Sequence, residues 1–157
     1  MKLLRLVQVD GRRSAAELGA EIGLSVSAVS ERLRRLGASG VVKATRAIIA
    51  PERVGISLCA FIFVDLEPRA DERQFAAALG EMPEVQEAHH VTGPHSWLIK
   101  VRVPDTAALQ HLLSRHIKPL PGVLRSESVI VLETTKETSE LPLGLAHASV
   151  AFDDDAP

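Results

Sequence analysis

The feature that most constrains this chain is residues 14–36, which predict two short amphipathic helices joined by a tight turn. The apolar residues of each helix fall on one face, at helical spacing: Leu18 and Ile22 in the first, and Val29, Leu33 and Leu36 in the second. Between them, Gly23 can adopt the left-handed conformation that ends a helix. The pattern therefore predicts a helix-turn-helix with a common core, although an ordinary solvated helical hairpin has the same outline.

Both helices carry start signals, and the second has a polar outer face. Ser14 and Glu17 form an S-x-x-E capping box, and Ser25 can cap the second helix. Opposite the apolar stripe lie Ser27, Ser30, Glu31 and Arg34, with Arg32 and Arg35 on the flanks. Such a face can reach base edges and phosphates in the major groove of duplex DNA.

Charge is divided unevenly along the chain. Residues 1–50 contain nine Lys and Arg against four Asp and Glu, a balance of +5, whereas the whole chain has a formal net charge of -2. The remaining residues therefore sum to -7. A basic module on an acidic body concentrates the attraction for phosphate on one part of the molecule, which favours nucleic acid as a partner.

Composition indicates a cytoplasmic protein with two small domains. The 157 residues are 46% hydrophobic, which is enough for packed cores. Cys59 is the single cysteine, so no intrachain disulfide forms and a reducing compartment is expected. The apolar runs are too short to span a bilayer, and no signal-peptide core is evident. Aromatic residues, on which single-stranded bases stack, are scarce, which favours duplex over single-stranded nucleic acid.

After Gly40, residues 41–50 form a β-prone segment interrupted by Lys43 and Arg46. This pattern predicts a small wing whose two basic side chains contact the sugar-phosphate backbone. Pro51 closes the wing, and residues 52–55 predict a hinge or a short helix into the second domain.

Residues 56–135 alternate between strand and helix patterns. Strands are expected at 56–67, 85–92, 97–103 and 126–135, the middle two joined as a hairpin. Asp71 and Asp105 can each cap a helix, the first ending before Pro83. The second is expected to bury Leu109, Leu112, Leu113, His116 and Ile117. The order βαββαβ is that of the ferredoxin-like split motif, so the fold class is α+β.

Two helices can cover only one face of such a sheet, yet the first strand has apolar residues on both faces. Self-association through the open face is the simplest answer. A two-fold dimer would also present two recognition helices to palindromic half-sites.

Taken together, these segments resemble the leucine-responsive regulator/AsnC (Lrp/AsnC) family, from about residue 3 to residue 143. The matching stretches are DGRRSAAELGAEIGLS with SERLRRL, ATRAIIAPERVG, VQEAHHVTG before WLIKVRVPD, and LPGVLRSESVIVLETTK. The resemblance implies a winged helix-turn-helix followed by a ferredoxin-like sensing domain. It also implies dimers that assemble into octamers or related rings, with amino acids or related metabolites bound at the turn that matches residues 93–97.

Two departures from the family pattern bear on function. The family turn often reads G-D-[FY]-D-Y, whereas this chain has Gly93-Pro94-His95-Ser96-Trp97 and lacks both carboxylates. The candidate effector residues are Gly93, His95, Ser96 and Trp97. His95 and Ser96 could donate hydrogen bonds to a carboxylate or other acidic group. We therefore infer that the effector differs from a simple neutral amino acid bound in the usual manner. Alternatively, Gly93-Pro94 only builds the turn and Trp97 packs at an interface. The chain also begins inside the family's usual first helix.

No metal, cofactor or catalytic site is expected. His89 and His90 point to opposite faces of a strand, and His111 and His116 are poorly spaced to share a ligand on an α-helix. Chains that resemble this family include tetrapyrrole decarboxylases, but no nucleophile with its base is evident here.

The sequence therefore predicts a sequence-specific DNA-binding transcriptional regulator that responds to an amino acid or related metabolite. Its domains are a winged helix-turn-helix (1–50), a sensing and oligomerisation domain (51–143) and an acidic tail (144–157) that is expected to be disordered and to shield the basic domain from non-specific DNA. The alternatives are an architectural DNA-binding protein without an effector and the decarboxylase-like enzyme. The expected DNA contacts are Ser27, Ser30, Glu31 and Arg34 to base edges, and Arg32, Arg35, Lys43 and Arg46 to phosphates.

Overall fold

The computed structural model describes residues 1–143. It has two compact units: Met1–Ala47 together with the segment that begins at Lys136, and Ile48–Thr135. Residues 136–143, which the sequence places in the second domain, thus group with the first unit. The acidic tail predicted for 144–157 lies outside the described residues. Within residues 1–143, no helix combines the length and apolar character needed to cross a membrane.

The first unit is built on three helices, α1 (Lys2–Val9), α2 (Ala15–Ile22) and α3 (Val26–Ala38). Leu3, Leu18 and Val29, one from each helix, form its buried core. Ile22, Leu33 and Leu36 pack around them, as the apolar spacing predicts. The helix-turn-helix prediction is therefore confirmed.

The predicted helix ends are also present. Ser14 Oγ accepts a hydrogen bond from the Glu17 N–H at 3.2 Å, and Glu17 Oε2 accepts one from the Ser14 N–H at 2.7 Å. The Ser14 hydroxyl and N–H together hold the pKa of Glu17 below its ordinary value. Ser25 Oγ accepts from the Ala28 N–H at 3.2 Å, and Gly23 ends α2 with a φ of 74°. These local bonds fix where the two helices begin and where the turn between them falls.

The α2–α3 turn depends on close approach of its backbone to Gly19. A β-carbon at this position would lie 2.5 Å from the carbonyl oxygen of Leu24. Because the obstacle is backbone, Gly19→Ala is expected to lower the free energy of unfolding by about 1–3 kcal/mol. Urea unfolding followed by circular dichroism measures the change.

Gly37 in α3 provides the matched control, because no atom lies within 4 Å of the position its β-carbon would take. Gly37→Ala is expected to raise the free energy of unfolding by about 0.5–1 kcal/mol. Equal effects of the two substitutions would contradict the packing assigned to Gly19.

The wing prediction is wrong for this chain. Residues 41–50, all of them described, contain no β-strand. The segment turns back after α3 through a hydrogen bond from the Val42 N–H to the Leu36 carbonyl at 3.0 Å. β-prone residues form a strand only where another strand accepts their hydrogen bonds, and no ladder in the described sheet includes this segment. Residues Pro51–Val54 then form one turn of 3-10 helix, which agrees with the predicted short helix.

The second unit is a four-stranded antiparallel sheet with two helices. Its elements are β1 (Leu58–Leu66), α4 (Glu72–Gly80), β2 (Val85–His90), β3 (Trp97–Val103), α5 (Thr106–Leu112) and β4 (Val123–Ile130). The strand order is β2-β3-β1-β4. Asp71 and Asp105 cap α4 and α5 as predicted. The βαββαβ prediction is therefore confirmed.

The last strand, however, lies earlier in the sequence than predicted. β4 begins at Val123, which pairs with Leu66, and ends at Ile130, which pairs with Ala60. Because β1 begins at Leu58, little of it remains for residues beyond 130 to pair with. The apolar pattern of residues 131–135 therefore continues past the end of the ladder.

The two faces of the sheet have different environments. Ile62 and Ile99 are a cross-strand pair in the core with Phe75, Leu79 and Leu109 from the helices, so α4 and α5 cover this face. Phe61 and Phe63 alternate with these residues along β1, point to the opposite face and are half-buried. As predicted, no helix of the described residues of this unit covers the second face.

The end of α5 departs from the predicted α-helix. Residues Leu113–Ile117 form a turn of π-helix, in which the repeat is longer than in an α-helix. His116 is therefore exposed, not buried as predicted, and its ring centroid lies 5.4 Å from that of His111. The π-helical turn thus places the two imidazoles side by side, although their sequence spacing does not favour this on an α-helix. Among residues 1–143, no group of three or more His, Cys, Asp or Glu is placed to hold a metal ion.

Candidate nucleic-acid interface and candidate effector site

The outer face of α3 presents the side chains expected to contact bases. Val29 is fully buried, whereas Ser27, Ser30, Glu31 and Arg34 on the other side are exposed. Of the flanking cations, Arg35 is exposed and Arg32 is half-buried. The structure thus brings the four predicted base-contacting residues together on one surface, while contact with DNA itself stays a prediction.

Glu31 and Arg34 form a two-pronged ion pair on this surface. Arg34 Nε donates to Glu31 Oε2 at 2.9 Å, and Nη2 donates to Oε1 at 2.7 Å. The hydrogen bonds from Arg34 lower the pKa of Glu31. The guanidinium is therefore held one turn from Glu31, in the fork geometry that also matches the O6 and N7 acceptors of guanine.

Lys43 and Arg46 lie in the irregular segment after α3 and are exposed. This segment passes the α1–α2 turn, because a β-carbon on Gly11 would lie 2.7 Å from Thr45 Cγ2. The two cations therefore belong to the first unit even though no wing strand carries them. Their contact with phosphates remains a prediction.

The candidate effector turn connects β2 to β3. Gly93 has a φ of 126°, a backbone conformation that side chains with a β-carbon rarely adopt. The Val91 N–H donates to the Ser96 carbonyl at 2.9 Å, and the Ser96 N–H donates to the Val64 carbonyl at 3.2 Å. The turn is therefore tied to the end of β1, and the Ser96 N–H is already used within the sheet.

A carboxylate missing from the turn sequence is supplied by β1. Asp65 Oδ1 lies 3.1 Å from His95 Nδ1, and the two side chains are 22% and 19% exposed. Since an ionised carboxylate only accepts hydrogen bonds, Nδ1 carries the proton and Nε2 is left for another partner. The Phe63 ring packs 4.9 Å from the imidazole. Sequence reasoning missed Asp65, because its nearness to His95 depends on the pairing of Val64 with Trp97.

Trp97 lies on the other face of the sheet from His95. It is 7% exposed, with the Phe75 ring edge-on at 5.4 Å and the His90 ring stacked at 5.3 Å. Its indole Nε1 is buried without a hydrogen-bond partner among the described residues. The structure therefore brings His95 and Ser96 together at the turn but places the Trp97 side chain in the core of the sheet unit, and not at an interface as the alternative had it.

The open face also carries a polar cluster that the sequence did not reveal. Glu87 accepts from Lys100 Nζ at 3.2 Å and lies 3.3 Å from His89 Nε2. Partial burial alone would raise the pKa of Glu87, but the bonds to Lys100 and His89 outweigh it and lower the pKa. The ladder sets Glu87 opposite Lys100, so this cluster follows from the β2–β3 register.

Two family models match successive parts of the chain. Residues 1–36 match the AsnC-type helix-turn-helix domain, and residues 59–141 match the Lrp/AsnC ligand binding domain. The chain belongs to the Lrp/AsnC family. Members of this family are DNA-binding transcriptional regulators, and the resemblance seen in the sequence is confirmed.

Individual relatives agree with this membership over most of the chain. The chain is 37% identical to the HTH-type transcriptional regulator FL11 of Pyrococcus horikoshii, over 90% of this chain and 93% of that protein. It is 36% identical to the leucine-responsive regulatory protein of Escherichia coli, over 88% of this chain and 86% of that one.

Solved structures of the Lrp/AsnC family show the same fold. A transcriptional regulator of Neisseria meningitidis in complex with L-methionine has a TM-score of 0.86 at 33% identity, covering 90% of this chain and 93% of that one. The feast or famine regulatory protein of Mycobacterium tuberculosis, also complexed with L-methionine, has a TM-score of 0.83 at 38% identity, covering 89% and 94%.

Proposed function

We propose that this regulator reads a specific duplex sequence through α3 and that an amino acid or related metabolite, bound at the turn of residues 93–97, alters its DNA affinity or assembly. The observation that carries the proposal is the exposed Ser27, Ser30, Glu31 and Arg34 surface on a helix-turn-helix whose chain continues into a ligand-binding fold. Recognition helices of this kind read base edges, while neighbouring cations hold the phosphates.

Fluorescence anisotropy tests the function directly. Duplex DNA from upstream of the reading frame is compared with random duplex at two salt concentrations, with and without a pool of amino acids. We expect tighter binding to the upstream duplex and a change when the pool is added. Binding that depends on neither the DNA sequence nor the amino-acid pool would instead support an architectural DNA-binding protein. One observation favours this second function: Ser96 N–H and His95 Nδ1 already have intramolecular partners, so neither needs an effector as its partner.

The Asp65–His95 pair supports an effector that carries an amino group. A carboxylate has about four acceptor sites, so Asp65 can hold an ammonium group while it accepts from His95. His95 Nε2 can then face the acidic group of the same effector. L-Methionine is the first compound to test, since it is bound in the neisserial and mycobacterial structures.

Removing the charge of Asp65 tests this assignment. We expect Asp65→Asn to weaken the effector response by roughly 10- to 100-fold in concentration, because charge-assisted hydrogen bonds contribute about 1.5–3 kcal/mol. DNA affinity without effector should not change. Anisotropy at increasing effector concentration provides the measurement.

Glu67→Gln removes the same charge two residues away, at an exposed side chain, and serves as the matched control. It should respond as the wild type does. A normal response from Asp65→Asn, or from a His95→Ala variant, would remove these residues from the effector site.

A homodimer through the open sheet face is the proposed unit of DNA binding. Half-buried Phe61 and Phe63 lie at its centre, and Val129, 48% exposed, pairs beside Phe61. Two-fold pairing would present two copies of α3 to half-sites about 34–36 Å apart. The family resemblance extends this proposal to octamers or related rings.

We further propose that the protein acts without catalysis and in the cytoplasm. Its relatives are named as transcriptional regulators, and its one thiol, Cys59, is buried and free. A regulator of this kind works where the chromosomal DNA lies. Absorbance of bound pigment after purification, or turnover of a tetrapyrrole, would contradict the absence of catalysis.

A further inference from the structure

The described end of the chain returns to α1. Leu141 and the Gln8 side chain exchange two hydrogen bonds, from Gln8 Nε2 to the Leu141 carbonyl at 2.9 Å and from the Leu141 N–H to Gln8 Oε1 at 3.0 Å. Arg5 Nη2 then donates to the Leu143 carbonyl at 3.5 Å. From residue 141 to residue 143 the chain therefore runs along α1 from Gln8 toward its beginning.

A cleft of about 480 Å³ lies at the beginning of α1. Its apolar lining includes Leu3, Leu24 and Leu36, and its cationic lining consists of Lys2, Arg32 and Arg35. All of these residues belong to the first unit. The cleft thus combines an apolar surface with three positive charges, two of them on α3.

Residues 152–155 have the complementary chemistry. Phe152 is followed directly by Asp153, Asp154 and Asp155. Phe152 lies nine positions after Leu143, and nine residue-to-residue steps of extended chain span up to about 30 Å. The whole of α1 is only about 12 Å long, so the tail is long enough to reach the cleft from Leu143.

We propose that residues 152–155 bind in this cleft of their own chain, with Phe152 against the apolar lining and the three aspartates beside Lys2, Arg32 and Arg35. Bound there, the acidic tail competes with DNA phosphates for the two arginines of α3. The regulatory effect rests on the DNA contacts proposed above for Arg32 and Arg35. The docking itself does not.

Carbodiimide coupling tests the docking without DNA. This reagent joins a carboxylate to an amine in direct contact, and trypsin then releases residues 1–5 joined to residues 137–157 if Lys2 has reacted with the tail. Fragmentation must place the bond on Asp153, Asp154 or Asp155 and not on Glu137 or Glu140. We expect this product in the full-length protein and at least a fivefold loss of it in Phe152→Ala.

Two results of this coupling would overturn the docking. One is equal coupling of the tail to Lys43 or Lys118, or no coupling at all. The other is a product that joins a ¹⁵N-labelled and an unlabelled chain in a mixed sample, because the tail would then lie on a neighbouring copy.

DNA affinity tests the competition. A full-length variant with Asp153→Asn, Asp154→Asn and Asp155→Asn should bind random duplex about fivefold to tenfold more tightly at low salt, as expected if the tail occupies the cleft in about 80–90% of molecules. The control variant Glu67→Gln, Glu81→Gln, Glu133→Gln removes the same charge from exposed positions of the second unit.

A gain confined to the tail variant supports competition, and an equal gain in both variants would show a simple effect of net charge and overturn it. Failure of every variant to bind any duplex would refute the proposed DNA contacts, while the coupling result still decides whether the tail docks.

Discussion

Phe61→Asp is expected to convert the proposed homodimer into monomers and to weaken binding to a duplex with two half-sites by at least about 100-fold. Phe61 lies in the middle of β1 on the open face, opposite Lys100 and Val129 in the two neighbouring ladders. A carboxylate buried there between two copies would lose its hydration, and Lys100 opposite it already donates to Glu87. Separation of the two helix-turn-helix units then removes the avidity of linked binding, which amounts to about 10²–10⁴.

Sedimentation velocity measures the assembly, and anisotropy on duplexes with one or two half-sites measures the binding. The single half-site should be bound equally by wild type and variant, because α3 is unchanged. Gln74→Asp introduces the same charge at an exposed position of α4, a helix on the covered side of the sheet, and should remain oligomeric. If Phe61→Asp stays oligomeric at the same concentration, the open face is not the interface.

Arg34→Ala is expected to reduce affinity for the preferred duplex by roughly 10- to 100-fold, corresponding to about 1–3 kcal/mol, with little loss on random duplex. The Arg34 side chain is 69% exposed and is held by Glu31. In the complex, its fork is free to exchange the Glu31 oxygens for two acceptors on a base edge. Exposed ion pairs stabilise the fold by at most about 1 kcal/mol, so the variant should fold normally.

Lys43→Ala provides the contrast, because a phosphate contact carries no sequence information. It should weaken specific and random duplexes alike and reduce the dependence of binding on salt by about one charge. Both variants are measured on the same two duplexes over a series of salt concentrations. Equal losses on both duplexes for Arg34→Ala would refute its assignment to base recognition.

The elements that the sequence could predict are those fixed by neighbours along the chain. Ser14, Ser25, Asp71 and Asp105 each cap a helix through a hydrogen bond to a backbone N–H two or three residues ahead, so the signal is local. The spacing of apolar residues likewise set the buried faces of α2, α3 and β1. The family resemblance added the order of the two units.

The features that were missed depend on pairing between distant segments. Asp65 meets His95 only because β1 and β3 pair in one particular register, and β4 ends where β1 offers no further partner. The 41–50 segment has strand-forming residues but no strand beside it, so β propensity alone was misleading. His116 became exposed because a π-helical turn changed the face on which it lies.

The packing of Trp97 gives this protein a built-in optical probe. It is the one tryptophan in a chain with no tyrosine, so indole emission arises from the sheet unit, and the helix-turn-helix is silent. The indole is shielded from solvent, stacked on His90, and begins the strand that follows the 93–97 turn. Occupancy of the proposed effector site at that turn can therefore be followed by intrinsic emission in the presence of DNA, without a label.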